Sequence, residues 1–244
     1  MTPVKKKLRK IGNSNLFKKG SNTHDLLRSW DSAGPGKTGW LLVGLCAGLY
    51  GFLSFLSWRG GHDWGGDFSA YIMQGEALYK GELEALKTQF RFRQAFSLPP
   101  DSPEYYPWGL PLIIGLIHSL GIESLDIYKL IMVFAYMATL GICIQWWRKS
   151  LSSLALVGIG LFWAIHPFML TYKDQVLSDL PFLMMSMGFL SYLDQHILEQ
   201  EQGRGVHYRV AGLLAIFAAF FRTQGEVLGV IFLWFLVEES YRTY

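Results

Sequence analysis

WLLVGLCAGLYGFLSFLSW, residues Trp40–Trp58, decides how the rest of the chain is read. The run carries no charge, and at 1.5 Å per residue it nears the length that crosses about 30 Å of hydrocarbon. Tryptophans frame it, and indole rings favour the headgroup layer. The polar stretch before it and the length of its apolar core set it apart from a cleaved signal.

Further candidate spans follow at Ile127 to Trp147, Leu154 to Leu170, Val176 to Leu193 and Val210 to Val237. The last is interrupted by Arg222-Thr223-Gln224-Gly225-Glu226, so it is either one tilted, broken span or two half-length helices. Of the 244 residues 51 % are hydrophobic and 17 % charged, less charge than a water-soluble domain of this size needs. The expected fold is all-α, a polytopic transmembrane helical bundle. A basic cytoplasmic tail over 1–38 precedes a transmembrane domain over 39–244, with an outer loop at 59–107.

Basic residues set the orientation. Lys5, Lys6, Lys7, Arg9, Lys10, Lys18, Lys19, Arg28 and Lys37 face only Asp25 and Asp31 in the tail, which keeps the N-terminus cytoplasmic. Its composition offers little to pack, and it is suited to contact with anionic lipid. The segment from Arg59 then lies outside, and the span from Ile127 returns to the inside at Arg148-Lys149. Thr171 to Gln175 is outside, and the link carrying Arg204, His207 and Arg209 is inside. This order requires Trp108 to Leu120 to lie along the surface or insert partway; if that piece crosses, everything downstream inverts. The net charge of +3 belongs to membrane-flanking residues and gives no reason to expect nucleic acid. Cys46 and Cys143 fall inside spans, where packing is their ordinary role. No Cys or His pair has metal-site spacing.

The outer loop carries the chemistry-bearing residues. His62-Asp63-Trp64-Gly65-Gly66-Asp67 leads into a helix expected to run to about Leu86. Asp67 either caps that helix or acts on a hydroxyl or amine acceptor, as a general base or through a metal ion. Leu83 to Arg93 reads as an interfacial amphipathic helix whose Arg91 and Arg93 either steer an anionic headgroup or solvate the surface. Tyr105-Tyr106-Pro107-Trp108 fixes a turn and supplies interfacial aromatics. In the second outer turn, Asp174 is a loop acid. Asp179 opens an apolar run, where a charge faces a cavity or partner, or else it or Ser178 caps the helix. Arg222 and Glu226, four apart, form a structural ion pair if the helix continues; otherwise Arg222 holds a phosphate, with Lys173 as a second phosphate ligand.

Taken in order, Gly66-Asp67-Phe68-Ser69-Ala70-Tyr71-Ile72, Gly75-Glu76-Ala77-Leu78-Tyr79-Lys80-Gly81, Tyr105-Tyr106-Pro107-Trp108-Gly109, Val176-Leu177-Ser178-Asp179-Leu180-Pro181 and Phe221-Arg222-Thr223-Gln224-Gly225 resemble the C-type membrane glycosyltransferases. The likeness is to relatives of the protein O-mannosyltransferases and the bacterial lipid A aminoarabinose transferases, and it covers about residues 40 to 237. It implies the N-terminal part of that fold, embedded in a bacterial cytoplasmic membrane. It also implies transfer of a sugar from a polyprenyl-phosphate donor to a lipid, glycan or protein acceptor at the outer face, usually with inversion.

Within the resemblance, Asp67 matches the first-loop catalytic aspartate and Asp179 the second-loop acid, with Asp174 as an alternative occupant. Arg222 falls in an Arg-x-x-Gly segment near donor or cavity, and Tyr106 lies beside the acceptor or lipid groove. Asp67 would take the acceptor proton while Lys173 or Arg222 offsets leaving-group charge. Relatives differ in whether a divalent cation takes part, and these residues imply none in particular. Most relatives are longer. That difference implies a fragment, one half of a split enzyme paired with a second membrane subunit, or a shortened descendant. The rival expectation is a noncatalytic membrane subunit that keeps the same framework to bind a partner or lipid. Transport is less attractive, since no inverted repeat is evident.

Overall fold

The computed structural model describes residues 37–61, 67–88, 106–148, 150–198 and 205–242, and among these the regular structure is entirely helical. The N-terminal tail, His62, Asp63, Arg91, Arg93 and Tyr105 lie outside the described residues.

Helix α1 spans Lys37–Leu56, α2 Asp67–Lys80, α3 Gly109–Ser119, α4 Leu125–Trp147 and α5 Ser153–Ala164. Then come α6 (Pro167–Tyr172), α7 (Asp179–Leu193), a π-helical turn (Asp194–Leu198), α8 (Gly205–Phe221), a 3-10 turn (Thr223–Gly225) and α9 (Glu226–Arg242). Among the described residues, two stretches are long and apolar enough to cross a membrane, Gly39–Leu56 and Leu125–Trp147. The second is 56 % buried and the first 28 %, which makes α4 the central helix. One face of α4, with Tyr128, Met132, Tyr136, Leu140 and Ile144 at helical spacing, belongs to the main core. Helix α1 packs on one side of α4 and α7 on another; α7 in turn packs on α8, and α8 on α9. Helix α5 closes the row against α1 and α4.

Several expected spans are divided, each for a local reason. Leu154 to Leu170 is two helices, because Pro167 cannot donate a helical hydrogen bond and begins α6 afresh after His166 in an extended conformation. The loop helix stops at Lys80 instead of Leu86, since Gly81 takes a positive φ of 72°; residues 83–88 form a separate helical segment. The interrupted last stretch is two helices folded on each other, with Gly212 of α8 facing the Phe232 ring of α9. Helix α3 has 11 residues, so it rises about 16 Å and is too short to cross alone.

Helices α2 and α3 run side by side across one end of the row. Gly75 makes this possible, because a Cβ there would lie 2.7 Å from Ile114 Cγ2 and 2.9 Å from the Pro111 carbonyl oxygen. The same end gathers the C-terminus of α1 and the N-terminus of α4, joined by the Trp58 indole donating to Asp126 (3.0 Å). The opposite end joins α4 to α7 through the Trp146 indole and Asp194 (2.6 Å), and α7 to α8 through Tyr192 and His207 (2.8 Å). The described residues flanking the loops assigned to the outside therefore meet at one end, and those flanking the loops assigned to the inside meet at the other. Large apolar side chains are exposed around the row, among them Phe55 at 76 %, Leu116 at 66 % and Trp234 at 70 %. Cys46 and Cys143 are buried and free.

Candidate active site where three loops meet

Asp67 opens α2, and its exposed carboxylate accepts a hydrogen bond from the Tyr106 hydroxyl at 2.8 Å. Tyr106 is held from the other side by Gln74. The buried amide of Gln74 accepts from the Tyr106 backbone N–H (2.8 Å) and donates to the Tyr106 carbonyl (3.0 Å). These two hydrogen bonds fix the main chain of Tyr106, and the packing of its ring on Tyr71 and its bond to Asp67 hold the hydroxyl in place. The Tyr106 ring packs at 5.0 Å on that of Tyr71, one turn after Asp67, and the Tyr71 hydroxyl shares a 2.8 Å hydrogen bond with Ser178. The next residue, Asp179, forms an ion pair with Arg222.

Each partner is delivered by a particular backbone feature. Asp67, Tyr71 and Gln74 lie at helical spacing on one face of α2. Ser178 precedes α7 without capping it, because its hydroxyl is engaged by Tyr71. Asp179 is the first residue of α7, where the unpaired N–H groups of the helix favour a carboxylate. Arg222 is extended (φ −149°, ψ 143°) between α8 and the 3-10 turn, a conformation that swings its side chain away from Glu226. The condition for the Arg222–Glu226 alternative is not met, and Arg222 pairs with Asp179 instead: an i, i+4 contact needs continuous helix, and the backbone breaks at Arg222 itself. Gly225 makes the break tight, since a Cβ there would overlap the main chain of Ala218 and Ala219. Gly109 seats α3 against α8, where a Cβ would lie 2.8 Å from the Phe221 ring.

The electrostatics follow from this packing. Burial raises the Tyr71 hydroxyl above its ordinary range; the Ser178 hydrogen bond and Arg222 oppose the shift, while Asp67 and Asp179 add to it. Tyr71 therefore stays neutral, with its ring packed on Tyr106 and its hydroxyl sharing a hydrogen bond with Ser178 ahead of α7. The Asp179 and Arg222 side chains are 35 % and 29 % exposed, so the pair is reachable from outside the bundle. A surface carboxylate beside a guanidinium held by a second carboxylate supplies a proton acceptor and an anion ligand in one place.

Asp67, Tyr106, Asp179 and Arg222 are thus brought together from the first loop, the second loop and the last break. Lys173 and Asp174 are engaged elsewhere. Lys173 is fully buried and donates to the Ser57 carbonyl (3.0 Å) and to Asp174 (2.7 Å), with its ammonium 5.3 Å from the Trp58 ring centre. It sits at the C-terminus of α1, where a cation offsets the negative end of the helix. Sequence reasoning missed Tyr71 and Gln74, and read Ser178 only as a helix cap, which it is not. The available signal was polar residues at three- and four-residue steps from Asp67 on a helix otherwise suited to burial. Among the described residues, no group of three or more His, Cys, Asp or Glu side chains is arranged to hold a metal ion. No family model, no curated protein and no solved structure matches this chain.

Proposed function

We propose that this protein is a membrane-embedded glycosyltransferase of the C-type kind, moving a sugar from a polyprenyl phosphate to a hydroxyl or amine acceptor at the outer membrane face. One observation carries the reading: Asp67, Tyr106, Asp179 and Arg222 meet at a single end of a helical bundle. Membrane residence is supported by the two long apolar helices and by the exposed apolar side chains around the row.

Asp67 accepts the acceptor's proton, and the freed oxygen or nitrogen attacks the anomeric carbon. The bond from that carbon to the phosphate oxygen breaks with inversion, and its electron pair remains on the phosphate. The guanidinium of Arg222 receives the phosphate charge, loosening its contact with Asp179 as it does so. Tyr106 holds the Asp67 carboxylate in line and is a positioning residue.

The test is incubation of purified protein in liposomes with a panel of radiolabelled polyprenyl-phosphate sugars and membrane acceptors. Donor-dependent labelled product that is lost in Asp67→Asn supports the assignment. No product from any donor, together with stoichiometric copurification of another membrane protein, supports a noncatalytic subunit instead.

A further inference from the structure

The close approach of α2 and α3 at Gly75 sets Glu76 of α2 beside His118, in the last turn of α3. Just past α3, Gly121 takes a left-handed conformation (φ 76°) and its N–H donates to the His118 carbonyl (2.9 Å). The chain turns back there and presents Glu123 to the same imidazole. Nε2 lies 3.5 Å from a Glu76 carboxylate oxygen, and Nδ1 lies 3.6 Å from one of Glu123. The His118 side chain is 2 % exposed, and neither ring nitrogen makes a hydrogen bond among the described residues. The rings of Tyr79 and Tyr128 flank it at 5.9 and 6.2 Å. Other charged groups on the neighbouring elements are turned elsewhere. Lys80 and Glu82 line a small cavity that they share with Glu76. On α4, Asp126 accepts from the Trp58 indole and Lys129 donates to the carbonyls of Arg59 and Gly61. Helix α8 meets α3 at Gly109, the opposite end, through Phe220 and Phe221.

A sealed imidazole between two carboxylates is matched to one of its protonation states only. The neutral ring has one N–H and one bare lone pair, so in either tautomer a lone pair is turned on a carboxylate. The imidazolium presents a donor to each, and hydrogen bonds between charged groups close to about 2.7–2.9 Å. Both carboxylates are free to make that approach, since the Glu76 and Glu123 side chains are 37 % and 70 % exposed. The C-terminal end of α3 adds a field that favours a cation. We propose that His118 is a proton-controlled clasp: with the proton it binds Glu76 and Glu123 at once and locks α2 and the turn after α3 onto α3, and without it both are released. The clasped state holds the extra proton, so acidification through the ordinary imidazole range favours it and alkalinisation opens it. The helix held in this way is the one that carries Asp67 and Gln74. The inference depends neither on sugar transfer nor on the orientation in the membrane.

The test is hydrogen–deuterium exchange of the full chain in detergent micelles at pH about 5.5 and about 7.5, on either side of the ordinary imidazole range. Mass spectrometry reads peptides covering α2 and the turn at 120–124, corrected for the intrinsic pH dependence of exchange. These peptides should be about tenfold more protected at the lower pH, the scale of one hydrogen bond to a charged group. His118→Gln should erase the difference, and Glu123→Gln, which leaves one of the two contacts, should cut it to about threefold. Equal protection at both pH values in the wild type would overturn the inference, as would greater protection at the higher pH. A difference that survives undiminished in His118→Gln or in Glu123→Gln belongs to other groups and overturns it as well. If His118→Gln fails to fold, Glu123→Gln still decides, because that side chain lies mostly in solvent.

Discussion

Replacing Gly225 by alanine asks whether the turn between α8 and α9 is built as described. The added Cβ would overlap the main chain of Ala218 and Ala219, and no flexible side chain is available to yield. Relief requires the turn itself to open, and forced overpacking of this kind costs about 1–3 kcal/mol. At a midrange of ~2 kcal/mol, with each kcal/mol worth about 2–4 °C in a chain of this size, the melting temperature should fall by roughly 4–8 °C. Gly229 is the internal control. It lies within α9 with no heavy atom within 4 Å of the position a Cβ would take. Alanine there gains roughly 0.8–1.0 kcal/mol of helix propensity, so Gly229→Ala should melt about 2–4 °C higher. Thermal melts of the full chain in detergent, followed by far-ultraviolet circular dichroism, read both changes. Gly225→Ala melting at or above the wild-type temperature, or Gly229→Ala falling as far as Gly225→Ala, would refute the close turn and with it the delivery of Arg222 to Asp179.

Tyr106→Phe removes the hydroxyl that orients Asp67 and should lower kcat about tenfold with KM little changed, an effect of roughly 1.4 kcal/mol measured by initial rates of sugar transfer. Lys173→Met leaves the Asp174 carboxylate partnerless beside the end of α1 and should destabilise by about 3 kcal/mol, visible as a lower melting temperature; donor KM in the surviving folded protein should not move. The raised Tyr71 hydroxyl gives an alkaline signature. Above its ordinary pKa of 10.0 the unfolded chain loses the proton first, so the native state binds more protons and stability falls as pH rises through that window toward the folded pKa. Tyr71→Phe should remove that part of the decline, as read from denaturant midpoints across the alkaline range.

The all-helical class and the two long apolar helices were legible in the sequence because they follow from uncharged apolar run length. Asp67 and Asp179 were legible as acids beside apolar runs. What could not be read was pairing at a distance. The polar break at Arg222 to Glu226 was visible and made the Arg222–Glu226 pair conditional on a continuous helix, yet nothing in the spacing pointed to Asp179 as the partner that one extended residue gives Arg222. Lys173 looked available because it stood in a polar turn, but the return of α6 alongside α1 buries it against the Ser57 carbonyl. Pro167 and Gly81 were plain breakers whose effect was masked by the apolar composition around them. Gln74 was invisible for the opposite reason: its importance lies in two backbone hydrogen bonds to a residue far along the chain.

The account depends most on the acidic end of the bundle facing away from the cytoplasm. Side-specific thiol labelling of intact cells tests this directly, in a background with Cys46 and Cys143 replaced and single cysteines introduced as Asp67→Cys, Thr223→Cys or Val206→Cys. The account predicts that positions 67 and 223 react with a membrane-impermeant maleimide in intact cells, while position 206 reacts only after permeabilisation. Labelling of 67 and 206 from the same side would contradict it.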